Sequence, residues 1–324
     1  MKTPWHLPAL VALVGGLAVL SLMAGKVWAP FDTWLVHDDP RSLIIFQLRL
    51  PRTLLAMAVG AALAMSGAAL QGYTRNPLAD PGILGVSAMA ALGAVVTLYF
   101  GASNAAAWLL PAAAILGAVI GVLLLVSLAG LTASVITFVL AGAVLQIVAA
   151  SAVSLALSLS PNPWATQEII DWLMGSFTDR CMDDVAIALP LIALGAVLLL
   201  SARRALDALS LGEASAVSLG VDLPRTQLVL ALGVGLATGA SVATTGVISF
   251  VGLIVPHLLR PLVGAQPGRL LIPSAVGGAA LVLAADILVR LTPTAAEVKL
   301  GIALSALGGP FFLAMLIDLR RRVT

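Results

Sequence analysis

The sequence predicts an all-α integral membrane protein of about ten transmembrane helices, built as two inverted-topology halves with both termini cytoplasmic. Three observations predict it. Of the 324 residues, 60% are apolar and 10% charged, where a soluble domain carries about a quarter charged residues. With a mean hydropathy of +1.09 the chain has too little polar surface to coat a globule, which excludes an aqueous enzyme, a nucleic-acid binder and a disordered chain. From Pro81 to Gln167 no Asp, Glu, Lys or Arg occurs. That run holds several spans of about 20 residues each and lacks the period-two alternation of a β-barrel. The third observation is a repeat: Leu50-Pro51-Arg52-Thr53 returns as Leu223-Pro224-Arg225-Thr226.

Glycine, proline and charge punctuation cuts the chain into spans at 8–28, 53–73, 82–100, 107–128, 133–159, 185–204, 226–246, 248–264, 271–291 and 300–318. The first follows Lys2 and resembles a secretory leader, with Ala24 near its end and Ala29 just after it; its span length and the lack of a clean small-residue cleavage pattern make it a retained helix. The second lies between Arg52 and Arg75, the third between Pro81 and Gly101, and the fourth ends at Gly130. The fifth stops before Pro161 and Pro163, and the sixth fills the stretch from Asp184 to the Arg203–Arg204 pair. The seventh follows Arg225, the eighth ends at Gly264, the ninth runs from Arg269 to Arg290, and the tenth precedes Arg320–Arg322. An even number of spans puts both termini on one side. With that side inside, the Arg203–Arg204 pair and the Arg320–Arg322 tail obey the positive-inside rule.

The repeat extends beyond its tetrapeptide. Leu55, Ala58, Gly60, Leu63 and Ala64 pair with Leu228, Ala231, Gly233, Leu236 and Ala237. An odd number of spans separates the copies, so they enter the membrane from opposite sides. A single transmembrane permease domain over 1–324 then divides into inverted halves at roughly 50–160 and 223–318, with a cytoplasmic loop at 203–225. Such repeats recur in transport proteins with the pathway near their interface, although a duplication without a transport role leaves the same pattern.

The spans lack the midplane acids that ion-coupled carriers use. Asp286 and Arg290 sit near one outer end. No Walker-type phosphate loop is present, since the single Gly-Lys pair, Gly25-Lys26, is followed by valine. Energy for uphill transport then comes from a partner, with ATP and Mg on that partner and no cofactor on this chain. Cys181 alone cannot form an intrachain disulfide or a cysteine metal site. His6, His37 and His257 show no ligand spacing, so no metal site is expected.

Ser151, Ser154 and Ser158 fall at i, i+3 and i+7 on the fifth span, one face of a helix. They read either as a weakly polar wall of a translocation pathway or as packing positions bonded back to their own carbonyls. Both readings stand at this stage.

Particular words now add to the physics. Arg49-Leu-Pro-Arg52, Gly60-Ala-Ala-Leu-Ala64 with Ser66-Gly67, Gln71, and Asn76-Pro-Leu-Ala79-x-Pro81-x-x-Leu84-Gly85 resemble the FecCD-type permeases of ABC importers. So do Trp172-x-Met174-Gly175, Gly212-Glu-Ala214 through Leu219-Gly220-Val221, Phe250-Val-Gly-Leu253-x-x-Pro256-His257-x-x-Arg260, Ala285-Asp286-x-x-x-Arg290 and Gly309-Pro310-x-Phe312. The resemblance covers nearly the whole chain in order. One departure is visible: Glu297-Val-Lys299-Leu-Gly301 stands where the family usually has Glu-Leu-Pro-Val/Ile-Gly.

The resemblance implies a permease of the bacterial inner membrane, paired as a homodimer with a second copy and joined by two ABC ATPase subunits and a periplasmic substrate-binding protein. It implies docking of the binding protein on Arg49, Arg52 and Arg290. Cations at a helix start are unfavourable, which also asks for a use; lipid headgroups or an Asp286–Arg290 pair at i, i+4 are the other uses. It makes Gly212, Glu213, Ala214, Ser215, Leu219 and Gly220 the segment that couples to the ATPase, where an ordinary interfacial turn is the alternative. It places a cytoplasmic gate at Leu131, Thr132, Ala133 and Ser134. The cargo classes implied are haem, ferric siderophore and cobalamin; apolar walls lean towards haem. An ion-coupled secondary transporter is the reading from another class. No nucleic-acid partner is expected, and membrane lipid surrounds the chain.

Overall fold

Helix is the one way for an uncharged chain in lipid to satisfy its backbone without a closed barrel, and every described element is helical. In the computed structural model, which describes residues 6–31, 34, 40–130, 134–293 and 297–323, the order is α1 (His6–Met23), α2 (Pro40–Leu43), α3 (Leu50–Thr74), α4 (Val86–Tyr99), α5 (Leu109–Ala129) and α6 (Val135–Ser158). Then follow α7 (Pro163–Leu173), α8 (Met182–Ser201), α9 (Arg203–Leu209), α10 (Glu213–Ser218), α11 (Leu223–Thr245), α12 (Val251–Val263), α13 (Pro267–Leu291) and α14 (Leu300–Val323). A π-helical turn, Ile44–Arg49, joins α2 to α3. Among the described residues seven helices are long and apolar enough to cross a membrane, and three shorter apolar ones occupy the predicted third, eighth and tenth places. Each predicted span therefore meets a helix.

The two helices that open with the repeated Leu-Pro-Arg-Thr word, α3 and α11, form the centre and are buried over most of their length. Small residues let their neighbours approach closely, the usual device where lipid removes any hydrophobic drive between helices. Gly60 of α3 lies against the Gly278 carbonyl of α13, and Gly67 against the Gly252 carbonyl of α12. The hydroxyls of Thr238, Ser241, Thr244 and Thr245 in α11 all bond back to carbonyls one turn earlier, so none is left bare in the interior. By contrast α1 is mostly exposed and buries only Ser21.

Two predicted spans start too early. At 1.5 Å per residue, α4 with 14 residues and α12 with 13 cover about 20 Å, short of a hydrocarbon core of about 30 Å. Both begin inside the protein. Gly85 (φ 73°) lies against Gly142 and Gln146, halfway along α6, and Gly252 lies against Leu63, halfway along α3, and Pro81. The left-handed backbone at Gly85 and Phe250 (φ 69°) breaks each helix there, whereas hydropathy runs on unbroken. The predicted 82–100 and 248–264 are therefore a bent entry followed by a half-length helix.

Between the spans, α2, α7 and α9 were not predicted. Asn162 caps α7 by accepting from the Ala165 N–H at 2.9 Å, with Pro163 at its first position, and Trp164 stays 85% exposed.

Candidate functional site

At the outer end the three arginines come together, but they point inward. Arg49, Arg52 and Arg290 are buried, and Asp286 between them is fully buried. Arg52 donates from Nε to Asp286 Oδ1 at 3.0 Å and from Nη2 to Glu297 Oε2 at 2.9 Å. Arg290 Nε stands 3.1 Å from Asp286 Oδ2, an ion pair with poor hydrogen-bond alignment; its Nη1 donates to the Ser21 carbonyl at 2.9 Å and its Nη2 to the Ser21 hydroxyl. Arg49 donates to the carbonyls of Leu22 (2.9 Å), Met23 (2.8 Å) and Val27. A buried charge is tolerable only when paired and bonded in this way. The cluster ties the outer ends of α1, α3 and α13.

The acids in this cluster were only partly legible. Asp286 and Arg290 at i, i+4 were a visible pair; that Asp286 also serves Arg52 depends on α13 packing along α3. Glu297 stood out only as part of an atypical loop. Burial works to raise its carboxyl, and the Arg52 guanidinium together with the Thr178 hydroxyl outweighs it, holding Glu297 below the usual carboxylate range. Above the cluster an outer recess of about 300 Å³ is lined by Lys26, Arg49, Arg52, Arg180 and Arg290, with Asp179 and Glu297 among the acids.

At the inner end α9 and α10 occupy the 203–225 loop. Asp207 accepts from the Gly268 N–H at 2.7 Å and Gln266 Nε2 at 2.9 Å, which fastens α9 to the start of α13. Glycines at positive φ, Gly212 (102°) and Gly220 (84°), bracket α10. Ala216 is buried, while Ala214, Ser215, Leu219 and Gly220 are exposed and Gly212 and Glu213 are half-buried. Glu213 faces Arg75 at 4.0 Å. Leu211, Val217 and Leu219 leave large apolar side chains in the open, at 66%, 53% and 65% exposure, around a helix too short to anchor itself. Of the expected gate residues, Leu131, Thr132 and Ala133 lie outside the described residues; Ser134 caps α6 by accepting from the Thr137 N–H at 3.3 Å.

The three serines of α6 are exposed, and among the described residues none bonds back to its own helix, unlike the hydroxyls of α11. Ser154 lines an open cavity of about 350 Å³ bordered by α3, α4, α6, α11 and the segments leading into α4 and α12; Ser151 and Ser158 do not. Asp80 lies on the same cavity, a carboxylate that the spacing of motifs did not single out. His257 packs edge-on against Phe311, with ring centroids 5.8 Å apart. Among the described residues no group of three or more His, Cys, Asp or Glu could hold a metal ion.

This layout of a buried pair of central helices, two half-length helices and an exposed inner helix is matched by known proteins. The profile of the FecCD transport family covers residues 11–318. The chain belongs to the FecCD transport family. It is 39% identical to the vitamin B12 import system permease protein BtuC of Vibrio cholerae, over 95% of this chain and 92% of that protein. The BtuC of Escherichia coli O9:H4 is 38% identical, over 94% and 92%. A solved ABC transporter described as of the metal-chelate type, in an inward-facing conformation, superposes with a TM-score of 0.86 at 33% identity, covering 97% of this chain and 99% of that one. This FecCD-family chain is therefore an ABC-importer permease of the bacterial inner membrane.

Proposed function

We propose that this permease moves a corrinoid of the vitamin B12 class from periplasm to cytoplasm. The observation that carries the reading is identity of 36–39% to vitamin B12 import permeases over more than nine-tenths of the chain. The expectation of haem rested on apolar walls alone, which siderophore and corrinoid carriers share. Cobalamin is the cargo that the named relatives favour.

Two copies of the chain form the pore, two ATPase subunits drive it, and a periplasmic binding protein delivers cargo. The ATPase seats against Gly212, Glu213, Ala214, Ser215, Leu219 and Gly220, where the exposed Leu211, Val217 and Leu219 gain a cover. The binding protein's surface carboxylates enter the outer recess, with Lys26 and Arg180 at its rim and the inward-turned Arg49, Arg52 and Arg290 setting its positive field. Ser151, Ser154 and Ser158 border the pathway, and the turn at 131–134 closes it on the inner side.

The test is ATP-dependent uptake into proteoliposomes holding the permease with its ATPase and binding protein, offered cyanocobalamin, haem or a ferric siderophore. Uptake of cyanocobalamin that needs every component and ATP is the expected result. Uptake of haem or siderophore in its place overturns the cargo, and uptake by the permease alone on an ion gradient overturns the importer.

A further inference from the structure

The two ends of the molecule treat their arginines differently. Outside, Arg52 and Arg290 are matched by Asp286 and Glu297. Inside, a recess of about 250 Å³ lies between the ends of α3, α9 and α12 and the start of α13. Arg75 and Arg260 stand in its wall, and no Asp or Glu is among the described residues that line it. Arg260 is half-buried, and its Nη2 donates to a neutral group, Gln71 Oε1, at 2.6 Å. Among the described residues it forms no ion pair. Gln71 is buried and donates from Nε2 to the Gly252 and Leu253 carbonyls at 3.2 and 3.4 Å. Arg75 has a loose companion, Glu213 of α10, at 4.0 Å. A guanidinium does not lose its proton in a protein, and a cation drawn out of water without an anion is unfavourable.

We propose that this recess receives a carboxylate side chain of the ATPase, which bonds Arg260 and draws on Arg75 at the rim. The inference rests on the ATPase reading above and adds an electrostatic contact to the apolar one at α10. Three features choose this occupant. The mouth is formed by Arg75, Pro77, Ser210 and Ala265, all in connecting segments, so it opens past the helix ends toward the cytoplasm rather than sideways into the leaflet. It adjoins α10, since Ser210 precedes the exposed Leu211 and Arg75 Nη1 lies beside Gly212. The volume holds one acidic side chain with water, and the bond between guanidinium and carboxylate is the strong, charge-assisted kind. A chain of bonds runs from the recess through Arg260 and Gln71 to the first turn of α12, so the contact bears on the helix break at Phe250.

The experiment titrates the purified ATPase against the permease in phosphatidylcholine nanodiscs at low and at high KCl. Wild type should bind more tightly at low salt. Arg260→Gln should bind about tenfold more weakly there, the scale of one charged contact at an interface, with a flatter salt dependence. Arg260→Lys, which keeps the charge, should recover most of the loss. A residue that only held Gln71 would not move the salt dependence. Arg260→Gln with the affinity and salt dependence of wild type overturns this inference alone. No binding of the ATPase to wild type at either salt overturns the ATPase reading and takes the inference with it. Phosphatidylglycerol that weakens the ATPase's hold on wild type and not on Arg260→Gln assigns the recess to a lipid phosphate and overturns the carboxylate.

A second pair of variants stands if Arg260→Gln does not fold. Ser210 is exposed, and Ser210→Asp sets a carboxylate of this chain at the recess. It should weaken ATPase binding about tenfold, again one charged contact, where Ser210→Asn leaves it unchanged. Equal affinity of these two variants overturns the proposal.

Discussion

Replacing Asp286 by alanine should destabilise the permease by about 3 kcal/mol, and the structure says which charge is responsible. Asp286 is fully buried and serves two arginines, Arg52 at 2.9 Å and Arg290 at 3.1 Å. Removing one partner of a buried ion pair costs about 3–5 kcal/mol, because the charge left behind is neither solvated nor paired. The two arginines are not left equally bare. Arg52 keeps Glu297 at 2.9 Å, while among the described residues Arg290 keeps the oxygens of Ser21 and Ala24. The loss should therefore sit at the lower end of the range and belong mainly to Arg290. Coupling between the two sites then has a definite sign: Asp286→Ala with Arg290→Leu should be more stable than Asp286→Ala alone by more than about 1 kcal/mol. The assay is unfolding in detergent followed by tryptophan fluorescence, with wild type, both single variants and the double as a cycle. A cost below about 1 kcal/mol for Asp286→Ala, or additive losses in the double variant, would refute the account of this cluster as a mutually compensating unit.

Leu219→Glu should leave the permease folded, since Leu219 is 65% exposed, but should weaken co-purification with the ATPase at least about tenfold, or 1.4 kcal/mol; full retention of the ATPase would remove α10 from the contact. The Glu297 carboxyl is held below its ordinary value by Arg52 and Thr178 against the opposing effect of burial, so its pairing stabilises the fold above the ordinary carboxylate range, about 4.3, and is lost as pH falls through the folded value. Glu297→Gln should accordingly flatten the acid limb of the stability–pH profile, and an acid limb identical to wild type would show that the pair carries no pH dependence.

How much could be read from the chain differs by the kind of fact. Partition into lipid is a property of a window of residues, each contributing to its own transfer free energy, so all ten helices and their order were legible without any contact. The close helix packing at Gly60 was hinted at by the repeat, since Gly60 pairs with Gly233, and both glycines prove to lie against a neighbouring helix, Gly60 on Gly278 and Gly233 on Leu199. Helix interruption was not legible. Gly85 and Phe250 adopt left-handed backbone in stretches whose hydropathy never falters, and nothing marks Phe250 as a residue that would do so. The unpredicted α7 escaped because, at 11 residues, it is too short to register as a span.

By itself, the sequence determined the fold class, the order of the membrane helices and the family, because each of these is written in local composition or in a word of a few residues. Only the tertiary structure decided what the charged residues do. Arg52 and Asp286 are 234 positions apart, Arg290 and Ser21 are 269 apart, and which acid neutralises which arginine depends on α13 lying along α3 and on α1 packing against α13. The same holds for the cavity at Asp80, which the segments entering α4 and α12 form together with α3, α6 and α11. Hydropathy measures how each segment partitions into lipid; the placement of a charge or a void depends on which segments then pack together.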